Sequence, residues 1–144
     1  MLRKKSKEIT EINDRIRQLL DDMVETMQQA NGVGLAAPQV GILRRAIVID
    51  TGEQQLKAVN PEIIEVSGSI VDVEGCLSIP GISGTVERPE KIKVRYLDEN
   101  GKEKIIEASS LLARVFCHEI DHLEGILYTD KVIETFNNEE LEEE

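Results

Sequence analysis

His118 and His122 are the only histidines in the chain, and their spacing constrains its fold more than any other feature. On a helix, residues four apart share a face, so the two imidazoles stand one turn apart and converge on a single point. That is the arrangement of two ligands for a divalent ion, and Glu119 lies close enough to the same face to take a proton from water at that ion. Leu111 and Val115 extend this face at i and i+4, ahead of His118 at i+7 and His122 at i+11. A helix with apolar residues and ligands on one face turns that face inward, which makes it a buried, central helix. A satisfied core helix with two chance histidines is the rival reading, and the absence of histidine elsewhere weighs against it.

The rest of the chain offers the wrapping. Over residues 13–30, Ile16, Leu19, Leu20, Met23 and Met27 recur at helical spacing, with Asn13 as the cap and Asn31-Gly32 as the stop. Residues 45–50, 57–60, 63–67 and 70–73 are short β-branched runs punctuated by Gly and Pro, the pattern of antiparallel strands joined by turns. Ile92, Val94 and Tyr96 alternate with polar residues and lead through Asp98-Glu99-Asn100-Gly101 to Ile105-Ile106, a hairpin with Asn-Gly at its turn. The helix bearing the histidines then runs from a cap at Ser109 or Ser110 to about Leu123, with Gly125 as the left-handed residue beyond it. The expected class is α+β, with antiparallel sheets surrounding the central helix. Residues 1–136 read as one domain and 137–144 as an acidic, frayed tail.

Composition narrows the chemistry. A chain of 144 residues is long enough to bury roughly two-thirds of its unfolded surface. With no Trp and only Tyr96, Tyr128, Phe116 and Phe136 as aromatics, the core is aliphatic and base-stacking platforms are scarce. A net charge of -11 repels phosphate backbones and argues against direct nucleic-acid binding. Two cysteines form no disulfide framework and fit a reducing compartment. The basic start lacks an apolar segment behind it, and no window approaches the ~20 apolar residues of a membrane helix. A soluble, cytoplasmic protein without a membrane partner is expected.

Two imidazoles leave a metal short of ligands. Cys76, in the Gly-punctuated segment Glu74-Gly75-Cys76-Leu77-Ser78, is the natural third, giving a tetrahedral ion with one position open to water. Taken alone, burial as a small hydrophobe is the commoner fate of such a cysteine. Cys117 points about 100° away from His118 around the helix and reads as core packing. In Gly32-Val33-Gly34-Leu35-Ala36-Ala37-Pro38-Gln39 the glycines let backbone approach a ligand. Gln39 there is either a hydrogen-bonded turn residue or a donor aimed at a substrate oxygen.

In order and spacing, the segments 32–39, 74–78 and 118–122 resemble the three motifs of the bacterial-type peptide deformylases. The likeness extends through Pro80-Gly81, Arg88-Pro89, the 96–101 turn and Leu111-Leu112-Ala113-Arg114-Val115, covering Leu2 to Val132. The resemblance implies a metal-dependent hydrolase that removes the N-formyl group from the initiator methionine of nascent polypeptides and releases formate. By resemblance, Cys76, His118 and His122 hold one divalent metal, with Fe2+ expected and Zn2+, Ni2+ or Co2+ able to occupy the site. Glu119 then takes the proton of the attacking water and delivers it to the leaving amine, while the Gln39 side chain and the Leu77 N–H stabilise the oxyanion. Gly34 lines the edge where the peptide lies. Val33, Leu111 and Val115 wall the methionine pocket, with Glu74 at its rim.

The family pattern is broken in three places. Relatives usually carry a strand-like segment ahead of the part matching Leu2, so an N-terminally shortened chain with an open sheet edge is expected. Where some relatives end in a basic ribosome-docking helix, this chain ends in carboxylates, so any ribosome proximity is transient. Ser110 replaces a frequent Gly and reads as a harmless, capping substitution. A metallopeptidase using the same helix motif, or a catalytically silent metal-binding protein, are the rival functions.

Overall fold

The computed structural model describes residues 4–76, 79–126 and 132–137. Helix α1 spans Asp14–Gln29, and the Asn13 side chain accepts the Ile16 N–H at 3.1 Å, as the sequence pattern requires. Beyond its end Asn31 takes the left-handed conformation (φ 54), and the Gly32 N–H returns to the Met27 carbonyl. Strands β1 (Gly34–Ala36), β2 (Ala46–Asp50), β3 (Gln55–Ser67), β6 (Lys91–Leu97) and β7 (Glu103–Ser109) form one antiparallel sheet in the order β1-β2-β3-β6-β7. Strands β4 (Ile70–Cys76), β5 (Ile79–Arg88) and β8 (Val132–Asn137) form a second. Helix α2 spans Ser110–Leu123.

Strand β2 shows why the sheet takes its place. Ala46, Ile47, Val48 and Ile49 are all fully buried, because alternate side chains leave opposite faces of a strand and both faces here are covered. Ile47 and Ile49 join Phe116, Ile120 and Leu123 of α2 in one core, with Val94 and Tyr96. Ala46 and Val48 join Leu20, Met23 and Met27 of α1 in the other, with Leu35 and Val59. The five-stranded sheet is thus sandwiched between the two helices. α2 meets the second sheet as well, since Arg114 donates to the carbonyls of Ile70 on β4 and Val86 on β5. The helix is therefore central, and every residue from Ala113 to Ile120 is buried.

Four details depart from the sequence expectation. The runs at 57–60 and 63–67 are parts of one strand, β3: Pro61 lies in an irregular stretch with Asn60 at φ 51, so the proline marks a bulge and not a turn. Strand β4 runs on to Cys76, and β5 adds a pairing the short-run pattern does not reveal. Asn137, assigned to the tail, ends β8 opposite Ile82; residues 138–144 lie outside the described residues. Ser109 makes no side-chain capping bond, and Ser110 sits at φ 53, a conformation that favours glycine. The substitution of Gly by Ser at 110 therefore costs backbone energy where a cap was expected.

The 92–106 hairpin forms as expected. Gly101 (φ 79) supplies the left-handed residue, and the Asp98 carboxylate accepts the Asn100 and Lys102 N–H groups at 2.8 and 3.0 Å. Backbone also ties residues 6–9 to the core: the Ser6 N–H donates to the Leu123 carbonyl at 2.7 Å, and Asn60 brackets Ile9 with two hydrogen bonds. Among the described residues, no helix is long and apolar enough to cross a membrane.

Candidate active site

The site is built on α2 where it crosses β1. His118, Glu119 and His122 are all buried, and one ligand atom of each lies within 4.8 Å of the others. The imidazoles meet edge to face, with centroids 5.1 Å apart and planes at 71°. Close parallel stacking would turn the ring nitrogens away from a common point; this tilt leaves them able to converge. Two imidazoles beside a buried carboxylate fit a divalent ion chemically, since imidazole suits zinc, iron and nickel alike. Cys117 is buried within the α2 core, as expected.

Strand β1 and the short 3-10 turn after it (Ala37–Val40) bring up the second part of the site. Gln39 Oε1 accepts the Ala36 N–H at 2.9 Å. The first of the two readings open for Gln39 is observed: its oxygen is a turn acceptor, which fixes Nε2 as the donor end of the amide. Gly34 is buried directly against α2. A Cβ placed on it would stand 2.6 Å from Glu119 Oε2 and 2.7 Å from Val115 Cγ1. Val115 thus packs between β1 and the site, while Val33 and Leu111 are about half exposed, at 45% and 51%, on the neighbouring surface.

Of the remaining candidates, Cys76 closes β4 and Glu74 lies two residues before it on the same strand. The side chains of Glu74 and Cys76, and Leu77 as a whole, lie outside the described residues. The other end of the β4–β5 hairpin, where Ile70 pairs with Arg88, is tied to α2. Arg88 on β5 donates to Asp121 on α2 at 2.5 Å, with side chains only 2% and 14% exposed. The Arg114 guanidinium, also buried, grips β4 and β5 at 2.7 and 3.1 Å through backbone carbonyls. These three residues carry no role in the sequence reading. The available signal was Arg114 itself, one charge inside the apolar run from Leu111 to Phe116, which demands partners once buried.

A groove of about 660 Å³ on β3, β6 and β7, lined by residues including Glu65, Lys91, Lys93 and Glu107, shares no residue with this site. Lys93 there pairs with Glu65 at 2.8 Å and with Glu107 at 3.8 Å. It is a poorer candidate than the α2–β1 crossing.

Comparison with known proteins places this geometry. The family model described as polypeptide deformylase matches residues 1–138. The peptide deformylase of Caldicellulosiruptor bescii is 59% identical over 143 residues, spanning 99% of this chain and 86% of that protein. That of Alkaliphilus metalliredigens is 62% identical over 133 residues, 92% of this chain and 90% of the relative. The crystal structure of the Thermotoga maritima peptide deformylase superposes with a TM-score of 0.89 at 43% identity, covering 91% of this chain and 90% of the other. With a matching family model along nearly the whole sequence, and relatives this similar along nearly all of theirs, the chain belongs to the peptide deformylase family, the metal-dependent hydrolases that remove the N-formyl group from nascent polypeptides.

Proposed function

We propose that the enzyme removes formyl from the initiator methionine of nascent polypeptides with Glu119 as its proton carrier, Gln39 and the Leu77 N–H as oxyanion donors, and Cys76, His118 and His122 as the residues that would hold the ion. The observation that carries this reading is the buried His118–Glu119–His122 cluster, whose donor atoms lie within 4.8 Å of one another beside β1. When bound, a divalent ion supplies the Lewis acidity that makes water nucleophilic near neutral pH. Fe2+ is the metal expected from the family.

Glu119 accepts the proton released by the attacking water and returns it to the amine as the C–N bond breaks, so formate and a free N-terminus leave together. The Gln39 amide, held through Oε1 by the Ala36 N–H, presents Nε2 to the oxygen on which negative charge develops. Its orientation is set before substrate arrives, so little reorganisation accompanies charge development. Val33, Leu111 and Val115 receive the methionine side chain, and Glu74 stands at the rim. The work belongs in the cytoplasm, where nascent chains emerge.

The test is a pair of variants prepared anaerobically and assayed on formyl-Met-Ala-Ser with metal analysis of the same samples. Glu119→Ala keeps its metal and loses on the order of 10²–10⁴-fold in turnover. Cys76→Ala loses metal together with activity, since it removes one of three protein ligands. Near wild-type turnover in metal-replete Glu119→Ala sinks the proton-carrier assignment, and full metal content in Cys76→Ala removes Cys76 from the ligand set.

A further inference from the structure

We infer that Gly34 is a positioning residue for catalysis: its missing side chain is the space in which the Glu119 carboxylate sits, and that space fixes Glu119 relative to the strand that orients Gln39. The inference rests on the reading of Glu119 as the proton carrier. Gly34 lies in extended β1 and is not among the positive-φ residues, so its backbone would accept any side chain. The requirement for glycine is therefore steric. A Cβ at this position would lie 2.6 Å from Glu119 Oε2, 3.0 Å from Glu119 Cγ and 2.7 Å from Val115 Cγ1, against an ordinary contact of 3.4 Å or more.

The surroundings leave few ways to relieve that crowding. Val115 is β-branched on a helix, where essentially one χ1 rotamer is open to it, so Cγ1 cannot swing aside. Glu119 is buried and its carboxylate must stay near His118 and His122 to serve them. Either the carboxylate retreats or β1 lifts away from α2, by about 0.8 Å to restore a 3.4 Å contact from 2.6 Å. Both movements change the same distance. Two residues along the strand, the Ala36 N–H holds Gln39 Oε1, so β1 carries the oxyanion donor while its Gly34 edge seats the acid/base group. The close approach of β1 to α2 at this one glycine thus sets the spacing between the acid/base group and the oxyanion donor.

The experiment is a cycle of Gly34→Ala and Glu119→Ala in the metal-loaded enzyme, read by kcat, KM, metal content and melting temperature. A misplacement near 1 Å costs on the order of 10²-fold, so Gly34→Ala is expected to lower kcat by about that factor, with KM nearly unchanged and metal retained. In the Glu119→Ala background the same substitution lowers kcat no further, and it costs less in melting temperature because two of its three close contacts are gone. An equal fold-loss in both backgrounds, or a rise in KM alone, overturns the inference and makes Gly34 a peptide-binding edge. Near wild-type turnover in Glu119→Ala would instead overturn the underlying assignment of Glu119, a separate result. If Gly34→Ala is too unstable to assay, Gly34→Ala/Val115→Ala removes the 2.7 Å contact. That double variant compared with Val115→Ala must then show the same kcat loss, and its absence counts against the inference.

Discussion

Replacing Asp121 by alanine removes the carboxylate that faces Arg88 across the junction of α2 and β5. The pair is nearly dry, with Arg88 2% and Asp121 14% exposed at an N···O distance of 2.5 Å. A guanidinium cannot shed its proton to escape burial, so Asp121→Ala withdraws a facing carboxylate from a charge that stays buried. Breaking a buried pair in this way costs about 3–5 kcal/mol. For a domain of this size each kcal/mol moves the melting temperature by roughly 4 °C, so a fall of about 12–20 °C is expected. Arg88→Met costs less, about 1–2 kcal/mol, because the more exposed Asp121 can be hydrated. Arg88→Met with Asp121→Leu removes both charges and recovers most of the loss, since replacing a buried pair with apolar side chains is often near neutral. Calorimetry of all four proteins at fixed metal concentration measures the coupling, with metal held constant because its binding adds to apparent stability. If the single variants each cost under about 1 kcal/mol and add without coupling, the pair behaves like an exposed salt bridge, and its burial between helix and hairpin is not what joins them.

Gln39→Leu keeps size while deleting the oxyanion donor, and should lower kcat by roughly 10²–10³-fold with a modest change in KM; a rise in KM alone would make Gln39 a ground-state binder. Ser110→Gly should raise stability by about 0.5–1 kcal/mol, because it releases a left-handed serine (φ 53), and thermal denaturation showing a loss would mean that the serine side chain contributes more than its backbone costs. The Asp98 carboxylate is opposed by burial but held below its ordinary range by the Lys102 and Asn100 N–H groups and by nearby lysines. Its folded value is lowered, so its contribution is complete above the unfolded value of about 4 and is lost as pH falls through the folded one. Asp98→Ala should therefore flatten the fall of melting temperature below about pH 4, and an unchanged acid limb would show that the turn does not use this charge.

The local chemistry of the site was written in the chain. Spacing alone put His118, Glu119 and His122 on one helix, and capping chemistry at Asn13 and the left-handed Gly101 fixed α1 and the β6–β7 turn, because these depend on residues a few positions apart. The motif at 32–39 showed that glycine and an amide mattered there but could not say for what. Pro61 misled for the complementary reason: its ring rules out a ladder donor locally, while the bulge that tolerates it exists only once β3 pairs with β6. Ser110 reads as a cap from its type and as a strained residue only from its φ. Contacts between residues far apart in sequence were decided by tertiary packing: Arg88 with Asp121, Arg114 with the β4 and β5 carbonyls, and Gly34 with Glu119. No period or motif encodes such a pair, since a buried charge or a missing Cβ takes its meaning from whichever element is packed against it.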